Sequence, residues 1–187
     1  RPACRDAGWD ERTPGLAINR FWASGREAVS RAANQVKGGA GDLYVAGGVE
    51  MMSRVPMGSD GAAIAADPTL AMQSYFVPQG IGADIIATKY GFSRDDVDAY
   101  AVESQKRAAQ AMAEGRFDRS VMTVRDQNGL PILEKDEYPR PGTDMQSLGA
   151  LRAAFEAMGT MMPGFDNVAK LKYPELERIN HVHHAGN

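Results

Sequence analysis

The feature that most constrains this chain lies near its start, where two apolar runs flank a helix-period segment and glycines punctuate the joints. Leu16–Phe21 has the character of a short buried strand. Ser24–Lys37 carries Ala28, Ala32 and Val36 at i+4 spacing, widened by Val29 and Ala33, as a helix with one buried face requires. Ser24 with Glu27 three residues later predicts a capping box, Glu27 and Arg31 stand one turn apart, and Gly38-Gly39 stop the helix. Leu43–Ala46 reads as a strand again, and Gly47-Gly48 allow close backbone approach at its end. Strand, helix and strand in succession predict a βαβ unit with a right-handed crossover, and so an α/β fold.

The pattern changes between about Val55 and Gly164, where short helices alternate with loops, as in an inserted, mainly helical subdomain. Gly80–Tyr90 places Ile81, Ile85 and Ile86 on one side and stops at Gly91. Ser93 with Asp96 predicts the cap of a longer helix to Glu114, its apolar face carrying Val97, Tyr100, Ala101, Ala108 and Met112. Val121–Arg125 and Ile132–Glu134 flank Gln127-Asn128-Gly129, a hairpin signal. Ser147–Met158 has helical period through Leu148, Leu151, Phe155 and Met158, and Arg178–His183 returns to strand character. The predicted organisation is therefore a first domain over 1–54, an inserted domain over 55–164 and a return strand over 165–187.

Composition excludes several classes. A net charge of −3 offers no basic stripe for nucleic acid, and no apolar run approaches the length of a membrane span. One cysteine, Cys4, excludes an internal disulfide framework, and the expected compartment is the cytoplasm. Neither end has the look of a natural terminus, so the chain reads as an internal fragment.

Ile18–Gly25, with the order Asn19-Arg20-Phe21-Trp22-Ala23-Ser24-Gly25, resembles the nucleophile segment of the thiolase family, where Cys-Ala-Ser-Gly or Cys-Gly-Ser-Gly follows a strand such as Asn-Arg-Phe. Further blocks resemble the same family in order along the chain. They are Val45–Pro56, Phe92–Asp96, Ala101–Gln105, Asp136–Gly142, Leu151–Phe155 and the closing Ala185-Gly186-Asn187. Ser53–Asp60 and His181–His184 look most like the thiolase subunit of bacterial fatty-acid β-oxidation complexes. The resemblance implies part of the thiolase fold, with βαβ units around a mixed sheet and an inserted loop domain that binds coenzyme A. It implies an acetyl-CoA C-acyltransferase that cleaves 3-oxoacyl-CoA with free CoA or runs the reverse Claisen condensation. CoA is then a substrate, no other cofactor or metal is needed, and the intact protein is a homo-oligomer, dimer or tetramer.

By the same resemblance one cysteine forms an acyl-enzyme and a second shuttles the proton. The first of these positions is held by Trp22, whose indole offers one N–H donor and no accessible lone pair for attack. Three readings stay open: a coding error, an inactive or repurposed copy, and a misplaced register, against which the helix start at Ser24 argues. Arg26 adds a cation to the first helical turn, against the dipole. The resemblance places Arg140 and Ser147 at the adenine and phosphate end of CoA, and Pro78 and Gln79 along its pantetheine and acyl channel. Ser24, Gly25, Gly47, Gly48 and Asn187 are expected to shape the site without reacting. Arg140 also reads as an ordinary solvated charge. His181-x-His183 could form half of a zinc site, but no further cysteine or histidine completes it, and a structural role is the plainer reading. Cys4 reads as an incidental thiol.

Overall fold

The computed structural model describes residues 2–161 and 164–187. The chain divides into two compact units, Arg1–Gly61 and Ala62–Asn187.

The first unit holds α1 (Pro2–Asp6) and α2 (Ser24–Lys37), with irregular chain between and after them. The extent of α2 matches the sequence pattern, but its cap does not. The N-cap is Ala23 without a side-chain bond, because Ser24 Oγ turns back to donate to the Phe21 carbonyl and to accept from the Arg20 N–H. Glu27 is likewise drawn to Arg20 and Arg31 instead of to the helix end. Leu16–Phe21 and Leu43–Ala46 form no ladder, and the expected βαβ unit is not formed among the described residues. A strand is stabilised only by a partner that takes its N–H and C=O groups. Among the described residues of this unit, the one bridge near either run is Arg20 with Trp22, inside the turn itself. None of the described residues of this unit is buried, and Leu16, Leu43 and Val45 are exposed.

The second unit contains α3 (Ala63–Ala66), α4 (Pro68–Gln73), α5 (Gln79–Tyr90), α6 (Arg94–Ala113), β1 (Val124–Arg125), β2 (Pro131–Leu133), α7 (Met145–Gly149), α8 (Glu156–Thr160) and α9 (Phe165–Lys172). Gly91 ends α5 in the left-handed region at φ 75°, where its N–H reaches the Ala87 carbonyl. Ser93 and Asp96 then form the capping box that opens α6, as the sequence predicts. The hairpin is present but short. β1 and β2 are antiparallel around a turn in which Asp126 Oδ1 accepts from Asn128 and Leu130 N–H and Gly129 takes φ 82°.

Two expectations for this unit fail for one reason: tertiary bonds take over the backbone. The helix predicted over Ser147–Met158 is broken into α7 and α8. Arg94 Nη2 donates to the carbonyls of Leu148 and Leu151, and Ala154 N–H to the carbonyl of His183. Arg178–His183 is extended but belongs to no sheet, since its N–H groups go to side chains on α5. On α6 the inward row is Arg94, Asp98, Ala101, Gln105 and Ala108, leaving Tyr100 and Met112 exposed. On α5, Ile86 is exposed and Asp84 takes the inward place beside Ile81 and Ile85.

The core is small. Ile81, Ile85, Ala169 and Ile179 are buried together, with Val77, Phe155, Phe165, Tyr173 and Leu176 packed around them. Gly80 is required at its position because a Cβ there would enter the ring of Phe155. With so few buried side chains, each matters. Ile81→Ala should lower the unfolding free energy of this unit by about 2–5 kcal/mol, read from the urea midpoint by circular dichroism. Ile86→Ala should change it by less than about 0.5 kcal/mol.

Candidate functional site

The turn that leads into α2 is built by local hydrogen bonds from residues 19–24. Asn19 Oδ1 accepts from Phe21 N–H at 2.9 Å, Arg20 N–H donates to Ser24 Oγ at 2.8 Å, and Ser24 Oγ donates to the Phe21 carbonyl at 2.6 Å. Ala23 and Ser24 N–H close back on the carbonyls of Arg20 and Phe21. These bonds force Phe21 to φ 49°, a region a bulky side chain seldom adopts, so the turn is strained at its apex. Trp22 follows, 85% exposed, immediately before the N-cap of a 14-residue helix. Every bond that places it comes from its neighbours, and none involves the indole. Glu27 pins the base of the turn through Arg20 and Arg31 at 2.9 Å each, and those two guanidiniums, Arg20 foremost, hold its carboxyl below the usual value. Ser24 is thus a turn-former. Gly25 and Gly48 are close neighbours, a Cβ on Gly48 standing 4.0 Å from the Gly25 Cα, whereas Gly47 has open space around it.

The remaining sequence-derived candidates lie in the second unit. Pro78 is the N-cap of α5 and Gln79 its first residue. Arg140 is exposed, its N–H donating to Gln105 Oε1 at 2.6 Å. A turn through Thr143, which bonds the Arg140 carbonyl, leads from it to α7. There Asp144 and Ser147 form a reciprocal capping box that sequence pattern alone does not announce. The Asp144 carboxylate accepts the Ser147 N–H at 2.7 Å and is held below its usual value chiefly by that bond.

A second constellation contains His181, His183 and Asn187, which the sequence singles out, and two aspartates that it does not. Two carboxylates lie inside the unit, Asp84 of α5 fully buried and Asp98 of α6 1% exposed. Asp84 Oδ1 accepts from the N–H groups of Val182 and His183 at 3.0 and 3.1 Å and faces His183 Nδ1 at 2.8 Å. Its Oδ2 faces His181 Nδ1 at 2.8 Å. The other His181 nitrogen faces Asp166 Oδ2 of α9 at 3.1 Å. Asp98 receives Arg94, His184 Nε2 and Asn187 Nδ2. Asn187 therefore anchors the end of the chain, its Oδ1 also accepting the His184 N–H. His184 Nδ1 faces the Gly186 N–H at 2.8 Å while Nε2 faces Asp98. Among the described residues no group of three His, Cys, Asp or Glu side chains is arranged to hold a metal ion. The local signal for this network is Asp84 sitting between Ile81 and Ile85, and Arg94 four residues before Asp98.

Burial opposes the charge on Asp98, but Asn187, Arg94 and His184 outweigh it, and the carboxyl lies below its ordinary 3.8. A carboxyl lowered on folding stabilises the fold above 3.8 and loses that contribution as pH falls toward the lower folded value. Asp98→Asn should therefore flatten the acid limb of the stability–pH curve. It should also cost roughly 2–3 kcal/mol at neutral pH, less than the ~3–5 of a fully buried pair, because Arg94 keeps 25% exposure.

With these features in view, the relation to known proteins is direct. The family model described as the thiolase N-terminal domain matches residues 1–169. This chain belongs to the thiolase family. It is 35% identical over 173 residues to a 3-ketoacyl-CoA thiolase of Bacillus subtilis, covering 84% of this chain and 43% of that protein. It is 35% identical over 164 residues to a β-ketoadipyl-CoA thiolase of Pseudomonas aeruginosa, covering 78% and 41%. The crystal structure of the dimeric peroxisomal thiolase of Saccharomyces cerevisiae superposes with a TM-score of 0.69 at 31% identity, covering 82% of this chain and 40% of that one. The chain thus spans about two fifths of the length of these curated relatives.

Proposed function

We propose that this chain is part of an acetyl-CoA C-acyltransferase acting on 3-oxoacyl-CoA and acetyl-CoA, with position 22 as the acylation position. The observation that carries the reading is the helix entrance. Neighbouring backbone and side-chain bonds deliver residue 22 to the start of α2, where free N–H groups and the helix dipole favour negative charge. A thiolate there would attack the 3-oxo carbonyl. The bond between the two carbonyl-bearing segments would break, the acetyl-CoA carbanion would take a proton, and the acyl group would stay on sulfur until CoA accepted it. Trp22 cannot begin this sequence, so the chain as written lacks the acylating group.

Arg140, Ser147, Pro78 and Gln79 are the CoA contacts in this reading, with Ser24, Gly25, Gly47, Gly48 and Asn187 shaping the surroundings. Residues 16–21 and 43–46 supply strands of the mixed thiolase sheet in the whole protein. Residues 55–164 form its inserted loop domain, and 165–187 return to the first domain. The whole protein is then a cytoplasmic homo-oligomer, dimer or tetramer, and a candidate subunit of a β-oxidation complex. The dimeric state given for the Saccharomyces neighbour supports the oligomer.

The exposed Trp22 favours a second reading: a thiolase-like protein that binds CoA or pairs with a thiolase subunit without turnover. The two are separated at residue 22. In the whole gene product, Trp22→Cys should gain one acyl group from acetyl-CoA by mass spectrometry while the parent gains none. The introduced thiol should also be alkylated faster than Cys4. A variant that neither acylates nor cleaves 3-oxoacyl-CoA leaves only the second reading. In calorimetry, CoA should bind the parent, and Arg140→Ala should weaken it about tenfold, as the loss of one charged hydrogen bond implies. Absence of heat with the parent removes CoA binding from either reading.

A further inference from the structure

His181 is the one ring of the three with a carboxylate at each nitrogen. Asp84 of α5 lies 2.8 Å from Nδ1 and Asp166 of α9 lies 3.1 Å from Nε2, and the ring is 6% exposed. An ionised carboxylate only accepts, so both contacts are hydrogen bonds only when both nitrogens carry protons. Asp84 is the acceptor on one side, its two oxygens facing two backbone N–H groups and two imidazoles. Asp166 depends on the ring, for its other oxygen, Oδ1, is buried without a hydrogen-bond partner. The space is closed on the third side by Gly159 of α8, where an added Cβ would come within 2.6 Å of His181 Cε1 and collide with Asp166 Oδ1.

We propose that His181 is a proton-operated clasp: as the imidazolium it ties the 179–187 segment to α5 and α9, and loss of its proton frees that segment. The deprotonated ring keeps one N–H and can donate to one carboxylate only, leaving the other without that donor. The groups that face the ring are Asp84 from α5, Asp166 from α9 and, through the shared Asp84, His183 of its own segment. From α8, Gly159 lies against the ring, while Glu156 is exposed. His184 is engaged separately with Asp98 of α6. Burial disfavours the charged ring, but the hydrogen bonds and charges of Asp84 and Asp166 outweigh it and raise the ring above its ordinary 6.5. For a histidine raised on folding, the contribution is complete below 6.5 and is lost as pH rises through the higher folded value. The clasp is therefore closed on the acid side and opens on the alkaline side.

The test is a pH series on the 187-residue chain, following ring nitrogens by nuclear magnetic resonance and amide protection by hydrogen exchange corrected for intrinsic rate. His181 should show two protonated nitrogens at pH 6, a midpoint above 6.5, and falling protection at residues 181–187 through that midpoint. The opening equilibrium should rise roughly tenfold for each unit separating the midpoint from 6.5. His181→Gln should make the protection independent of pH over this range. Asp166→Asn, which spares the Asp84 anchor, should lower the midpoint and move the opening with it. A neutral His181 at pH 6, protection that ignores pH in the parent, or a midpoint unmoved by Asp166→Asn would each overturn the clasp. So would an unaltered pH dependence in a folded His181→Gln variant.

Discussion

The second unit depends on a negative charge held where water cannot reach it. Asp84 has no exposed surface, and its carboxylate takes the place that a neighbouring strand would have in a sheet. It accepts consecutive backbone N–H groups from the extended 181–183 segment and two imidazoles as well. Such a charge is costly to bury, and removing a single partner would leave a large unbalanced penalty. The arrangement is thus cooperative, and it explains how a unit with only a few fully buried aliphatic side chains holds its last segment in one register. Asp98 repeats the device one helix further on, with Arg94 extending it to the carbonyls that interrupt the α7–α8 region.

The turn before α2 follows a different logic. Its shape is fixed by Asn19, Arg20 and Ser24 bonding to backbone, with Glu27 below, so the side chain at 22 contributes nothing to it. Position 22 is presented in the same place whatever side chain it carries, so the backbone of the turn persists independently of the residue at its tip.

What the sequence discloses in this chain is what depends on near neighbours. α2, α5 and α6 are legible because apolar period and glycine stops act within a turn or two, with a capping box at α6, and the hairpin because Asp126-Gln127-Asn128-Gly129 closes on itself. The runs 16–21, 43–46 and 178–183 are in no ladder here because a ladder is a property of two segments, and one segment cannot announce its partner. The same limit hides the break after α7, where the competing donor is Arg94, more than fifty positions away. In the site, the turn at Trp22 is readable from its own residues. Asp84 is not, since apolar periodicity assigns a carboxylate to the surface, and the histidine run, though a structural role is its plainer reading, does not announce that its partners are aspartates. Ser24 and Ser147 show the converse error. Ser24 does not cap its helix, while Ser147 does take part in a cap.

Gly159 illustrates how such a network would look to genetics. It touches no substrate in either functional reading, yet the volume its missing side chain leaves is where an imidazole and a carboxylate meet. Even a methyl group would have to displace one of them. A saturation survey would score this position as intolerant as a reacting residue, for reasons that concern only empty space.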